Sequence, residues 1–358
     1  MAEPLAVAVV GATGFTGRLV VAQLAERGVS VRLVGRSPTR LAEASAPFSA
    51  EFRSVPAWRR DELAAALAGC GAVVSCAGPF QEAGTPVVEA AIDARVPYTD
   101  STGEQPFIRA VYEQFDESAR AAGVALVPAF GFDFVPGDMG AAIAAEGLGP
   151  LARVEVVYAV DRPASSSGTR RTAVSILSQP GYQRIDGQLR TEPVGTHRRK
   201  VATQFGRLTA GSFPGGEPLM VPRHLLVGTV VSYFAVPGPF SPAHPAARLL
   251  PLAVRVPGMR PFLEWAAMQG TVGPSGDDRA ARVACVVEAT ALDGRRRAVR
   301  VEGRDPYGLT AHTLAELATR MRDNRVDVVG ARSPAEVVEA REFLAAVEMT
   351  VVEIEPEA

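Results

Sequence analysis

The segment Gly11-Ala12-Thr13-Gly14-Phe15-Thr16-Gly17 constrains this chain more than any other. It follows Leu5 to Val10, a short apolar run of the kind buried on both faces of a parallel sheet. It precedes Thr16 to Arg27, where Leu19, Val20 and Leu24 fall at helical spacing before Gly28, a good residue for ending a helix. A strand, glycine loop and helix in that order open a doubly wound α/β sheet and aim the positive end of the helix at a phosphate. Gly11 permits the tight turn out of the strand, Gly14 lets the backbone approach a pyrophosphate, and Gly17 lets the helix pack close to the sheet. The spacing is G-x-x-G-x-x-G rather than the commoner G-x-G-x-x-G, but the physics is the same. Gly11, Thr13, Gly14, Phe15, Thr16 and Gly17 are therefore the first cofactor-binding candidates.

The next strand, Val31 to Val34, ends at Gly35-Arg36-Ser37. An acidic residue about 20 positions beyond the glycines would select the free 2′-hydroxyl of NAD. Arg36 stands 19 residues past Gly17, with no carboxylate there. Arginine beside a hydroxyl suits a 2′-phosphate in charge and hydrogen-bond geometry, so the expected cofactor is NADP(H), held by Arg36, Ser37 and Arg40. The fourth strand, Ala72 to Cys76, runs into Cys76-Ala77-Gly78-Pro79. These small residues at a carboxyl edge let a dinucleotide lie against the backbone. Cys76 reads as a packing residue rather than a nucleophile, because no histidine is near it in sequence.

The alternation continues through the first third of the chain. Phe52 to Val55, Pro97 to Thr99 and Val124 to Val127 read as further strands. Asp61 to Leu67, a helix with Pro86 in its first turn running to Ala94, and one long helix from Phe107 to Ala122 read as crossovers. After about residue 130 the rhythm changes. Arg153 to Val160, Leu225 to Phe234, Arg282 to Ala291 and Ala298 to Val301 read as strands without regular helices between them, hence a mixed or antiparallel sheet. Residues 186–222 and 236–261 read as long loops. Thr313 to Arg322 and Pro334 to Val347 read as helices, and Met349 to Ile354 as a strand. The fold class expected is α/β: an N-terminal Rossmann-type doubly wound domain over 1–135, and a second α+β domain over 136–358 for substrate and dimer contacts. The C-terminal helices are expected to pack back on the first domain.

Composition excludes several functions. The formal net charge is -2, which lacks the basic footprint of nucleic-acid binding. Three cysteines, Cys70, Cys76 and Cys285, and four scattered histidines show no metal-type spacing. No apolar run approaches the ~20 residues of a membrane span. The opening MAEPLAVAVV has no basic region before its apolar run, so a cytoplasmic location is expected. The 37 basic residues include one lysine, Lys200, in THRRK, which reads as a solvated loop; position 196 is threonine, so no Tyr-x-x-x-Lys catalytic pair exists.

GATGFTG, VGRSPTRL, SCAGPF, YTDSTGE (Tyr98 to Glu104) and GFDFVPGDMG (Gly131 to Gly140) together resemble the saccharopine dehydrogenase-like NADP-binding family. The closer branch is the mycobacterial trans-acting enoyl reductases. The resemblance returns in GPSGDDRA (Gly273 to Ala280), VVEATALDGRR and GRDPYGLTA (Gly303 to Ala311), so it touches both domains. It implies hydride transfer from NADPH to an unsaturated acceptor: a C=C bond of a polyketide-derived lipid in that branch, an imine at an amino-acid-like substrate in the wider family. This chain departs from the branch at Phe134 and Gly137, where small hydroxyl residues are common. An aromatic is gained and two hydroxyls are lost, which points to a more apolar or flatter substrate.

Hydride transfer needs a proton source or a group that polarises the acceptor. The catalytic candidates are Tyr98 and Asp133. Phe134, Asp138, Ser167 and Thr169 are candidates for binding substrate, with the hydroxyl-rich run Ser165 to Arg171 preceding a helix-like Thr172 to Leu177. Asp100 and Glu104 suit either the Ser101-Thr102-Gly103 turn or the substrate, and Asp138 also suits the first turn of a helix. Three readings stay open: an NADPH-dependent enoyl or enone reductase, a saccharopine-type imine oxidoreductase, and a non-catalytic NADPH-binding regulator. A small-molecule substrate and a homodimer are expected.

Overall fold

The computed structural model describes residues 5–161, 180–235 and 281–357, with the single positions 256 and 259. In chain order the first elements are β1 (Ala6–Val10), α1 (Phe15–Glu26), β2 (Val31–Gly35), α2 (Pro38–Ser45), β3 (Glu51–Ser54), α3 (Arg60–Leu67), β4 (Cys70–Ser75) and α4 (Phe80–Ala94). Then come β5 (Tyr98–Asp100), α5 (Gln105–Gln114), α6 (Asp116–Ala122), β6 (Ala125–Val127), α7 (Val135–Ala144) and β7 (Leu151–Val160). The middle holds β8 (Gly181–Ile185), β9 (Gln188–Glu192), β10 (Arg198–Thr203), β11 (Gly206–Ser212), a single turn α8 (Glu217–Met220) and β12 (Val227–Ala235). The last are β13 (Arg282–Ala291), β14 (Arg296–Arg304), α9 (Pro306–Arg322), β15 (Gly330–Ala331), α10 (Ala340–Ala346) and β16 (Thr350–Ile354).

The chain divides into two units: one of residues 1–102, 106–132 and 307–338, the other of 103–105, 133–306 and 339–358. The first unit carries a parallel seven-stranded sheet in the order β15-β6-β5-β4-β1-β2-β3. Its central strands are continuous apolar runs because both faces are covered: Val7 to Val10 are fully buried, as is β4 from Ala72 to Val74. The order reverses at β1, so the loops after β1 and β4 lie side by side at the carboxyl edge.

The second unit carries a mixed nine-stranded sheet with the path β10-β11-β12-β7-β13-β14-β16. Only β7 and β12 pair in parallel along that path; the other pairs are antiparallel. Gly140 of α7 lies so close to Val287 and Val301 that a side chain there would collide with Val287. The opposite face gathers Val157, Ala159, Val231, Tyr233, Ala284 and Val286 with Val201 and Ala210 of the β10–β11 hairpin. The two sets alternate along β7 and β13, the two-residue period of a sheet buried on both sides.

Four expectations about elements need correction. Residues 186–222 are not a long loop: they hold β9, β10, β11 and α8. The hairpin β8–β9 turns at Asp186-Gly187, both with positive φ (49° and 80°), the left-handed pair a two-residue hairpin requires. Lys200 accordingly sits on β10, although it is exposed. Pro86 lies inside α4, which begins at Phe80. Packing overrides the proline's missing donor there, because Gly84 closes against the Phe107 ring and Phe80 stacks at 5.5 Å from it. The helix expected over 107–122 is two, since Asp116 restarts it and its Oδ1 accepts from Ala331 N at 2.8 Å. Pro334 to Val347 divides likewise: Ser333 and Glu336 close a capping box on one short turn, and Glu339 caps α10 by accepting from Arg341 N and Glu342 N. Residues 236–255 and Thr172 to Leu177 lie outside the described residues.

Candidate active site

The glycine loop does three different jobs. Gly11 adopts φ +78°, and a Cβ on it would stand 2.9 Å from Ala77 N and from the Cys76 carbonyl carbon. A Cβ on Gly17 would stand 2.3 Å from Gly11 O. These two glycines are demanded by the fold itself. Gly14 is different. Its backbone is ordinary (φ -76°, ψ 169°), it is exposed, and an added Cβ would meet only Gly11 O at 3.3 Å. The protein leaves space over Gly14, directly at the start of α1, and no acidic residue occupies the first turn of that helix. This is the cradle a pyrophosphate fits: open backbone at a helix N-terminus of uncompensated positive sign.

Cations gather around that cradle. Arg18 Nε donates to Thr13 O at 3.2 Å and an Arg40 Nη2 to the same carbonyl at 3.5 Å. Arg18 escaped sequence reasoning because it lies inside the first turn of the helix, where only apolar spacing was read. Arg36 is exposed at the end of β2, with its guanidinium carbon 5.7 Å from the centre of the Trp58 ring. Ser37 is the N-cap of α2 and accepts from Arg40 N. Ser54 Oγ donates to Arg36 O at 3.2 Å, which fixes the backbone at that point.

At the β4 edge, Cys76 N donates to Val10 O at 2.8 Å, locking this loop to β1. Desolvation pushes the Cys76 thiol up to about 12, against a lowering hydrogen bond with Ser101, so it remains protonated and unreactive. On β5, Tyr98 is fully buried. Burial first, and the Asp100 carboxyl second, raise its phenol well above the ordinary value. A substrate has no surface of Tyr98 to touch, so its assignment as a proton donor is corrected. Asp100 holds the turn: its Oδ1 accepts from Thr102 N and from Ala129 N, both at 2.8 Å. The second bond secures Ala129 at φ +59°, a conformation that residues other than glycine rarely adopt. Glu104 is buried.

The tail supplies parts that sequence reasoning did not assign. Tyr307 meets Phe15 of the glycine loop edge to face at 5.2 Å. Thr310 Oγ1 accepts from Phe132 N at 3.1 Å, and Thr313 Oγ1 donates to Phe130 O at 2.9 Å. The signal was present in GRDPYGLTA, which carries Tyr307 and Thr310.

The second unit has its own cluster of ionisable groups around α7. Asp133 is exposed, yet protein crowds it enough that desolvation pushes its carboxyl up to about 6. Phe134 is buried, lying beside Gly216 and Met220. Asp138 is fully buried in the first turn of α7, with Oδ1 2.8 Å from His224 Nε2. Both were expected to bind substrate; in the structure one is buried in packing and the other is hydrogen-bonded to His224, and they shape α7 instead. Ser167 and Thr169 lie outside the described residues.

Behind α7 stands a group that sequence reasoning missed entirely. Glu217 is fully buried and accepts from Tyr158 OH at 2.6 Å and from Ser232 Oγ at 2.5 Å. Gly137 N donates to the same Tyr158 OH at 3.1 Å. Desolvation raises Glu217 to about 7, partly opposed by its two hydroxyl donors. A side chain at 137 would stand 2.3 Å from Tyr158 OH and 2.5 Å from Glu217 Oε1. The departure at Gly137 thus makes room for this triad. Among the described residues no group of three or more His, Cys, Asp or Glu side chains could hold a metal ion. No helix among them is long and apolar enough to cross a membrane.

Residues 11–114 match the NAD(P)H-binding family model. This segment runs from the glycine loop after β1 through α5 and contains every cofactor candidate named above. The chain is 32% identical over 159 residues to a trans-acting enoyl reductase of Mycobacterium ulcerans, a match covering 41% of this chain and 38% of the relative. It is 30% identical over 148 residues to an Arabidopsis thaliana protein named "Probable mitochondrial saccharopine dehydrogenase-like oxidoreductase", covering 37% and 33%. The chain thus spans less than half the length of these curated relatives. In fold it is similar to a saccharopine dehydrogenase (L-Glu forming) of Saccharomyces cerevisiae, with a TM-score of 0.67 over 98% of this chain and 100% of that one, at 12% identity. The resemblance and the fold class expected from the motifs are both borne out, and the expected cofactor class agrees with the NAD(P)H-binding family model over 11–114.

Proposed function

We propose that the protein is an NADPH-dependent oxidoreductase that reduces an activated C=C bond, of the enoyl or enone type, in a polyketide, lipid or other secondary-metabolite intermediate. One observation carries the cofactor part: an open cradle at Gly14 beside an exposed Arg36 at the end of β2, where an NAD-selective site has a carboxylate. The likeness to the M. ulcerans reductase supports the C=C part.

The bound cofactor would supply a hydride from nicotinamide C4. The chain's residues do the rest. Gly14 and the start of α1 hold the pyrophosphate, with Arg18 and Arg40 at Thr13, and Arg36 selects the 2′-phosphate. The β4 edge presents Cys76 as a protonated thiol and not as a nucleophile. Hydride at the β-carbon leaves carbanion character at the α-carbon, which takes one proton. We assign that proton to Asp133, whose raised carboxyl value of about 6 lies near the range an acid–base group needs.

The test is single-turnover loss of NADPH absorbance against a panel of enones, enoyl thioesters and cyclic imines. Turnover of the enones and thioesters is expected. Turnover of imines alone would replace this reading with the saccharopine type, and NADPH binding without any turnover would leave a regulator.

A further inference from the structure

Trp58 is a tryptophan in a conformation that bulky side chains avoid. Its φ is +54°, in the left-handed region, at the turn that follows β3. Such a residue persists only when its surroundings hold it there, and the holders are visible. Trp58 N donates to Val55 O at 3.3 Å, and Trp58 Nε1 donates to Ala83 O, in the first turn of α4, at 3.0 Å. The turn is thus tied at both ends, and the indole ring is fixed in plane and position. On that ring lies the Arg36 guanidinium, 5.7 Å from the ring centre to Cζ.

We infer that Trp58 is a positioning residue for cofactor choice: it braces Arg36 over its ring, so that the guanidinium edge is already turned to the 2′-phosphate before NADPH arrives. The inference rests on the NADPH-selecting role given to Arg36 above. An exposed arginine has many rotamers, and binding must freeze them. A guanidinium lying over an indole is attracted by the ring face while its planar edge stays available as a bidentate donor to phosphate. The brace therefore acts only on a ligand that engages Arg36. NADH, which has no 2′-phosphate, does not sense it.

The contribution of such a contact at an exposed site amounts to about 2- to 5-fold in affinity. The experiment is a double-mutant cycle by calorimetric titration with NADPH, NADH and adenosine 2′,5′-bisphosphate. Trp58→Leu is expected to weaken NADPH and the bisphosphate about 2- to 5-fold and to leave NADH unchanged. In an Arg36→Ala background the same substitution is expected to change nothing. Trp58→Phe, which keeps a ring face but lacks the Nε1 donor, is expected to fall between the wild type and Trp58→Leu; it also serves as the reporter if the leucine variant does not fold. Equal weakening of NADPH and NADH by the Trp58 variants overturns the inference, as does an effect that persists without Arg36. If Arg36→Ala by itself leaves the preference for NADPH intact, the reading of Arg36 fails first. That outcome is distinct from an Arg36 effect to which Trp58 is not coupled.

Discussion

The two units handle charge in opposite ways. In the unit that holds the glycine loop, the groups proposed to meet the ligand are backbone amides, glycines and exposed arginines, set by local turns. In the second unit two carboxylates are turned inward: Asp138 against His224, and Glu217 against Tyr158 and Ser232. The first arrangement binds an anion using dipoles and cations that stay solvated until the ligand arrives. The second stores polar groups in a low-dielectric interior, where their protonation depends on the company they keep.

The sharpest way to break that contrast is at the glycines. Gly14→Val is expected to abolish calorimetric binding of NADPH while thermal unfolding stays close to the wild type, because the new side chain fills ligand space rather than protein space. Gly17→Val is expected to do the reverse and lower the unfolding midpoint sharply, since its side chain enters the Gly11 carbonyl. Wild-type NADPH affinity in the Gly14 variant would remove the cradle assignment.

The next effect is on turnover. If Asp133 delivers the proton, Asp133→Asn lowers kcat by about 10²- to 10⁴-fold, with cofactor binding unchanged. The wild-type rate falls as pH rises through about 6, where the carboxyl loses its proton. In the variant that basic limb flattens. A limb that survives the substitution assigns the proton elsewhere.

A smaller effect tests the buried triad. The folded value of Glu217 lies above the ordinary 4.5, at about 7, so the folded protein holds this proton longer than the unfolded chain does. Stability from this group is fully present below about pH 4.5 and is lost as pH rises to about 7, a total of roughly 3 kcal/mol. Glu217→Gln carries no such titration. Urea unfolding at about pH 5 and about pH 8 is expected to show the variant gaining on the wild type by that order. Parallel profiles would mean that Glu217 is ionised throughout.

The smallest effect is at Tyr98. Tyr98→Phe is expected to leave turnover unchanged and to shift stability by no more than about 1 kcal/mol, since it trims a hydroxyl no substrate reaches. A large loss of kcat would restore Tyr98 as the acid.

What was legible in the sequence follows the same division. The glycine loop, the Arg36 position and the alternation of strands and helices are local: each follows from residues within one turn or one crossover, so spacing reveals them. Glu217 is not local. Its donors lie 59 and 15 residues away, and its loop looks like any stretch rich in glycine and proline. No spacing links Asp138 to His224, 86 residues on. The hairpins of 186–222 were legible and missed, for Asp186-Gly187 is a strong two-residue turn signal. Pro86 inside α4 was not legible, because only the Phe107 ring against Gly84 explains why the helix continues.

The contribution of α9 to the nucleotide-binding unit has a consequence for the order in which that unit can be made. Synthesis delivers β1 through β6 first, yet the hydroxyls that secure Phe130 and Phe132, the ring beside Phe15 and the edge strand β15 all come after residue 305. Glu316, which pairs with Arg27, arrives with them. While β7 through β14 are being translated, the nascent sheet has an open edge at β6 and lacks its final clamp, the state in which unpaired strands are most exposed to wrong partners. Residues 307–338 complete what the first third begins, so the first sheet is finished only after most of the other unit has been made.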